Sequence, residues 1–265
     1  MADTAWQGPL AALSRIPPRV RRGAVLPAAL VLAWLAVVDT GFARTPLLVP
    51  LHQVLSAPFV DPDGRQIWTA LAASLARATA GIALGASAGV ALGVALGLSR
   101  PLQRGIAPTL HGLRQIALFA WIPLLTAWFG TGEIAKVVFI SLSAFFPAFL
   151  NTEQGVRAIA PAYWETAAVL RLRPWRRVTK MVLPAALPAI LIGLEIALLT
   201  AWIGTVGAEY AIGVGRGLGS FLVAARELFR MDLVLAGVVA LALVGYACNR
   251  ASRHVFSRII TWRDR

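Results

Sequence analysis

The chain has 265 residues, 58% of them hydrophobic and 14% charged, with a formal net charge of +13. A soluble domain carries about 25% charged residues spread over its surface. Here the charges sit in blocks between apolar runs, the mark of an integral membrane protein. One cysteine, Cys248, excludes an internal disulfide and a cysteine-based metal site, and His52, His111 and His254 are too far apart in sequence to suggest a shared one.

Six segments are long and apolar enough to cross a bilayer, which takes about 20 residues: 24–41, 70–98, 110–129, 134–152, 185–207 and 232–249. The first follows Arg15, Arg19, Arg21 and Arg22 and has the look of a signal peptide. No small-residue cleavage site follows in "DTGFARTP", so an uncleaved span is expected. The connection "ARTPLLVPLHQVLSAPFVDPDGRQIW" is rich in Pro and turn signals and reads as a surface loop with one short interfacial helix. In the second segment Gly81, Gly85, Gly89, Gly93 and Gly97 recur every fourth residue. That spacing lets helix backbones approach closely, and packing within the chain is expected ahead of a dimer seam. The third segment is interrupted by Arg114 and Pro123.

Basic residues orient the spans. Eighteen of the 25 lysines and arginines fall in the N-terminus, around 100–114, in 157–180 and in the C-terminal tail. The rest are Arg44, Arg65, Arg77, Lys136, Arg216, Arg226 and Arg230. The positive-inside rule makes the larger set cytoplasmic, with both termini inside. Topology thus accounts for the positive charge without nucleic acid.

The fourth and fifth spans are separated by "ETAAVLRLRPWRRVTKMVLPAALP", residues 165–188, with Arg171, Arg173, Arg176, Arg177 and Lys180. Buried in lipid, these five would cost on the order of 15 kcal/mol, so the segment is a cytoplasmic loop. Pro161 opens a run of good helix formers, "PAYWETAAVL", and Ala167 with Ala168 makes one short face that a partner's groove could accept. Pro184 and Pro188 permit a sharp turn into the next span. The residues alone leave two readings open: a helix on the anionic inner leaflet, each cation gaining about 1 kcal/mol, or a docking helix for a soluble protein. After the fifth span, "GVGRGLG" lacks the βαβ setting of a dinucleotide site and reads as a flexible external turn or re-entrant loop. No Gly-Lys dipeptide occurs, so the chain has no phosphate loop of its own.

Glu165-x-Ala167-Ala168, followed at a fixed gap by Leu183-Pro184, resembles the "EAA" loop of binding-protein-dependent ABC importer permeases. The phrases "AWIPLLTAWFGTGEIAKVVFISLSAFFPAFLNTEQGVRAI", "VLPAALPAILIGLEIALLTAWIGTVGAEY" and "GLGSFLVAARELFRMDLVLAGVVALALVGY" are similar to the nitrate/sulfonate/taurine branch, from about residue 70 to the C-terminus. The resemblance implies an all-α fold of about six transmembrane helices. Its expected layout is a cytoplasmic segment 1–23, a first span and periplasmic connection 24–69, a permease domain 70–250 with coupling loop 153–184, and a tail 251–265. It implies two ATPase subunits below, a second permease copy alongside and a periplasmic solute-binding protein above, in a bacterial cytoplasmic membrane. No cofactor is expected in this chain; ATP and Mg belong to the ATPase. The coupling residues would be Glu165, Ala167, Ala168, Arg171, Leu183 and Pro184. Arg171 stands where the family has Gly, which implies a different turn or a continued helix; Glu195 and Asn249 replace a usual Arg and Asp.

Ionisable groups within spans are functional candidates by default. Arg77 and Glu209, with Trp121, Pro123 and Trp202, are the candidate translocation pathway. The plainer alternatives are that Arg77 snorkels to the interface and Glu209 braces the glycine-rich loop. No catalytic or metal-binding constellation appears, so an enzyme is not expected. The competing functions are a stand-alone secondary transporter, disfavoured by the lack of matching inverted halves, and a non-transporting, degenerate permease.

Overall fold

The computed structural model describes residues 18–39, 48–213 and 215–259, and every regular element among them is helical. The chain divides into two compact units, Met1–Ser56 and Ala57–Arg265. The first holds α1 (Pro18–Asp39) and the start of α2 (Leu51–Val60), and Trp34 Nε1 donates to the Val49 carbonyl at 3.3 Å. Arg15, Arg44, Arg263 and Arg265, which enter the orientation count, lie outside the described residues.

The second unit contains α3 (Gln66–Leu98), α4 (Arg100–Leu113), α5 (Ile122–Phe129), α6 (Glu133–Arg157), α7 (Pro161–Val169), α8 (Pro174–Ile212), α9 (Leu218–Glu227) and α10 (Met231–Ile259). Among the described residues four helices are long and apolar enough to cross a membrane: α3, α6, α8 and the Met231–Phe256 part of α10. The α4–α5 pair makes a fifth if the two count as one span.

The glycine stripe builds the central seam, within the chain as expected. A Cβ at Gly85 would sit 2.0 Å from the Ser141 carbonyl oxygen, and at Gly89 2.6 Å from that of Phe145. At Gly81, Gly93 and Gly97 a Cβ would meet the side chains of Ile140, Thr152 and Val156. Lipid tails are as apolar as leucine, so helices in a bilayer gain by close packing rather than by hiding oil from water. On the far side of α6 the same device recurs with α8, where Gly193 and Gly204 abut Pro147 and Ser143. Between the seams, Ala144, Ala148, Ala197 and Ala201 are fully buried.

Two expected elements differ. The span expected over 110–129, interrupted by Arg114 and Pro123, is part of a pair of helical segments bent by 95°. The chain breaks at Arg114–Ala117, where Ala117 is extended (ψ 131), then runs through a 3-10 turn, Leu118–Trp121, into α5. α4 itself is one-sided: Ala107, Leu102 and Leu110 pack with Leu96 and Phe149, while Arg104 and His111 are exposed. Pro123 therefore starts a helix, where its missing N–H costs nothing. The sharp turn expected at Pro184 is also absent, because α8 runs unbroken from Pro174 to Ile212. A π turn at Val178–Val182, with the Leu183 N–H reaching the Val178 carbonyl, widens the helix just before a proline that cannot donate.

The α9–α10 turn is held by Arg230, whose guanidinium pairs with Asp61 and with Asp232 (2.7 Å). Its hydrogen bond keeps the Asp61 carboxyl below its ordinary value.

Candidate functional site

Where α3 and α6 begin and α8 ends, the helices bury a set of charges. Glu209 is fully buried. Its carboxylate accepts from Arg77 Nη1 at 2.6 Å, from the Gly219 N–H at 2.9 Å, and from Ser74 Oγ, which lies 2.7 and 2.8 Å from its two oxygens. Ser74 Oγ in turn accepts from the Leu218 N–H at 2.9 Å. Arg77 turns the rest of its fork to Glu133, Nη2 to Oε1 at 3.0 Å and Nε to Oε2, and also donates to the Arg216 carbonyl. Lys136, fully buried, places Nζ 3.5 Å from Glu133 Oε1. Two cations and two anions thus balance at a place where lone charges would be costly.

This cluster decides between readings of Arg77 and Glu209. Arg77 does not snorkel: its side chain is 8% exposed and is paired on both sides. Glu209 braces the glycine-rich segment, as the plainer reading had it. Within that segment Gly213 and Gly215 turn with positive φ (71° and 98°), and a Cβ on Gly217 would fall 2.4–2.6 Å from the Glu209 carboxylate. Ser74, Glu133 and Lys136 escaped the sequence reading. Their signal was there, since Ser74-x-x-Arg77 and Glu133-x-x-Lys136 each put two polar groups on one helical face inside an apolar run.

The remaining pathway candidates are not brought together. Trp121 packs with Leu125, Phe139, Ala208 and Ile212, whereas Trp202 lies against α10 at Gly245. Pro123 is exposed. Glu195, deeper in α8, accepts from Arg253 of α10 at 2.8 Å.

The second candidate is α7. Helix geometry turns consecutive residues about 100° apart, so Ala167 and Ala168 do not share a face, which corrects the expectation. Ala167 is 2% exposed and packs with Val156, Met181, Val182 and Ala186. Ala168 and Glu165 are exposed and face away from that core. Leu183 is packed against the core, and Pro184 is exposed.

Arg171 neither continues the helix nor makes a different turn. It takes the left-handed conformation that glycine favours, φ 45. The Arg171 N–H reaches the Ala168 carbonyl at 3.0 Å and the Leu172 N–H reaches that of Ala167 at 3.1 Å, while Leu172 joins the cluster around Ala167. These are the paired bonds and the apolar contact of a Schellman helix end, ordinarily closed by glycine.

A glycine-seamed bundle of membrane-length helices with a short helix presented at its edge is the architecture of a membrane-embedded subunit. Residues 81–261 match the binding-protein-dependent transport system inner membrane component family, and the chain belongs to it, as an ABC importer permease subunit and not an enzyme. It is 33% identical to the putative aliphatic sulfonates transport permease protein SsuC of Bacillus subtilis over 92% of this chain and 88% of that one. It is 32% identical to the taurine transport system permease protein TauC of Escherichia coli (89% and 87% covered). The same identity holds with the bicarbonate transport system permease protein CmpB of Synechococcus elongatus (75% and 72%). Its fold is similar to a chain of the inward-facing MetNI methionine ABC transporter, with TM-score 0.65 and 21% identity, covering 76% of this chain and 99% of that one. Family membership brings an ATPase and a solute-binding protein as partners.

Proposed function

We propose that the subunit imports a small oxyanion-bearing solute, of the sulfonate, taurine, nitrate or bicarbonate kind, as one of two copies lining a pathway in a bacterial cytoplasmic membrane. The observation that carries this reading is the similarity along most of the chain to permeases named for sulfonates, taurine and bicarbonate. In this reading α1 and the bent α4–α5 pair complete six spans, both termini face the cytoplasm, and the Arg77–Glu209 cluster closes the outer end. Two ATPase subunits, carrying ATP and Mg, grip the exposed side of α7 through Glu165 and Ala168. Arg171, Leu183 and Pro184 support that grip, with Ala167 anchoring it to the bundle. A periplasmic binding protein delivers solute toward the spans containing Trp121, Pro123, Trp202, Arg77 and Glu209.

Proteoliposomes containing the permease, its ATPase and its binding protein test this. ATP-dependent uptake of one of labelled taurine, ethanesulfonate, nitrate or bicarbonate is the expected result. Uptake without the ATPase would make the protein a secondary transporter, and no uptake under any condition would make it a degenerate permease. Labelling a cysteine placed at Trp175 from the outside only would reverse the orientation.

A further inference from the structure

The segment after α7 is dense in positive charge. Arg171, Arg173, Arg176, Arg177 and Lys180 fall within ten residues, and Glu165 is the only acid between Glu153 and Glu195. None of the five forms an ion pair among the described residues. Arg177 is half-buried next to the cleft-lining turn, and its Nε has no hydrogen-bond partner within the chain, a cost that a guanidinium turned toward an acceptor would relieve. Trp175, in the midst of them, is 74% exposed, the mixture of aromatic and cation that marks a membrane interface.

Beside this segment a cleft of about 750 Å³ opens between the end of α6 and the start of α8. Gly155, Ala158, Met181, Ala185 and Pro188 give it an apolar lining, and Lys180 is its charged member. With Ile159 and Tyr163 completing a mostly apolar wall, a cleft of this volume has room for a length of hydrocarbon chain. A soluble anion would find the cations but have no use for the apolar walls.

We propose that this cleft and its basic flank hold an anionic phospholipid of the inner leaflet, with the phosphate at Arg177 and Lys180 and an acyl chain along the apolar lining. The inference rests on the orientation given above, which puts the segment at the cytoplasmic face. Clefts between spans on that side with a cationic rim suit such headgroups. The π turn at Val178–Val182 forms one wall, so an occupied cleft would stiffen the joint between α7 and the α8 span.

Native mass spectrometry of the permease–ATPase complex, titrated with phosphatidylglycerol or phosphatidylcholine of identical chains, tests the proposal. Each cation is worth about fivefold in retention, so phosphatidylglycerol should be retained roughly tenfold or more over phosphatidylcholine. Arg177→Gln with Lys180→Gln should erase that preference. Ala185→Leu, at an exposed position that fills the cleft, should weaken retention of both lipids. Equal retention of the two lipids by the unaltered complex overturns the proposal. So does a preference that survives the double substitution. Millimolar inorganic phosphate that competes equally well in the presence or absence of the Ala185→Leu change means the cations read free phosphate, which also overturns it. A double variant that loses the ATPase while keeping the lipid assigns the cations to an acidic protein surface instead. Lipid preference without ATP-driven uptake would count against the transport reading and leave this one standing.

Discussion

The two ends of the bundle treat charge in opposite ways. At the end formed by α3, α6 and α8, Arg77, Lys136, Glu133 and Glu209 balance one another, and serine and main-chain donors complete the buried carboxylate. In the insert after α7, five cations crowd together with no ion pair among the described residues. The contrast separates charge that serves the fold from charge that serves a partner. Among apolar helices a group must find its counter-ion within the chain, because lipid supplies none. At the membrane boundary a cation can wait for one.

The largest effect should come from breaking the closed cluster. Arg77→Ala leaves Glu209 buried without its cation, and losing one member of a buried pair costs about 3–5 kcal/mol. Thermal unfolding in detergent should show an early transition, and Arg77→Lys should recover only part of it, since an ammonium cannot fork between Glu209 and Glu133. Arg176→Gln, in the insert, should move stability by no more than about 0.5 kcal/mol. Equal melting of Arg77→Ala and Arg176→Gln would remove the distinction between the two regions.

Next come the seams that hold the closed end together. Gly85→Ala drives a methyl group into the Ser141 carbonyl oxygen, 2.0 Å from the new carbon, and overpacking of this kind costs about 1–3 kcal/mol. Gly105, in α4, has nothing within 4 Å of its would-be Cβ. Gly105→Ala should therefore stabilise, by up to about 1 kcal/mol from helix propensity. The two substitutions are chemically identical, so opposite shifts in melting temperature would isolate packing as the cause.

Much of this was legible in the sequence. The glycine stripe, the helix opening at Pro161 and four of the six lipid-length runs depend on local spacing and are found where they were expected. What could not be read depends on neighbours distant in the chain. Ser74 and Glu209 are 135 residues apart, and nothing in either segment says that they meet. Arg114 marked an interruption in its segment, but the 95° bend at Arg114–Ala117 could not be read, because average apolarity carries no direction. The α7 alanines were misread for a related reason: "EAA" as a string does not say which alanine the core takes.

That last point gives a test of the open region. Ala167→Leu pushes into Met181, Val182 and Ala186 and should cost about 1–3 kcal/mol of stability. Ala168→Leu, exposed, should melt like the unaltered protein yet lose ATPase co-purification and ATP-driven uptake. If Ala168→Leu transports normally, α7 does not dock through that side.

The smallest effect concerns two helix ends closed by a left-handed residue other than glycine. Phe229 ends α9 with φ 54 and bonds to Arg226 and from Arg230 to Ala225, in the same pattern as Arg171 after α7. A side chain held in this conformation costs about 1–2 kcal/mol relative to glycine, offset in part by the added freedom glycine gives the unfolded chain. Arg171→Gly and Phe229→Gly should each stabilise by about 1 kcal/mol, read as a rise in melting temperature. Uptake distinguishes their meaning. If Arg171→Gly gains stability and loses transport, the strain is retained for what the guanidinium touches outside the chain. If both stability and transport hold or rise, arginine at this position is a tolerated substitution in a turn whose geometry the backbone alone maintains.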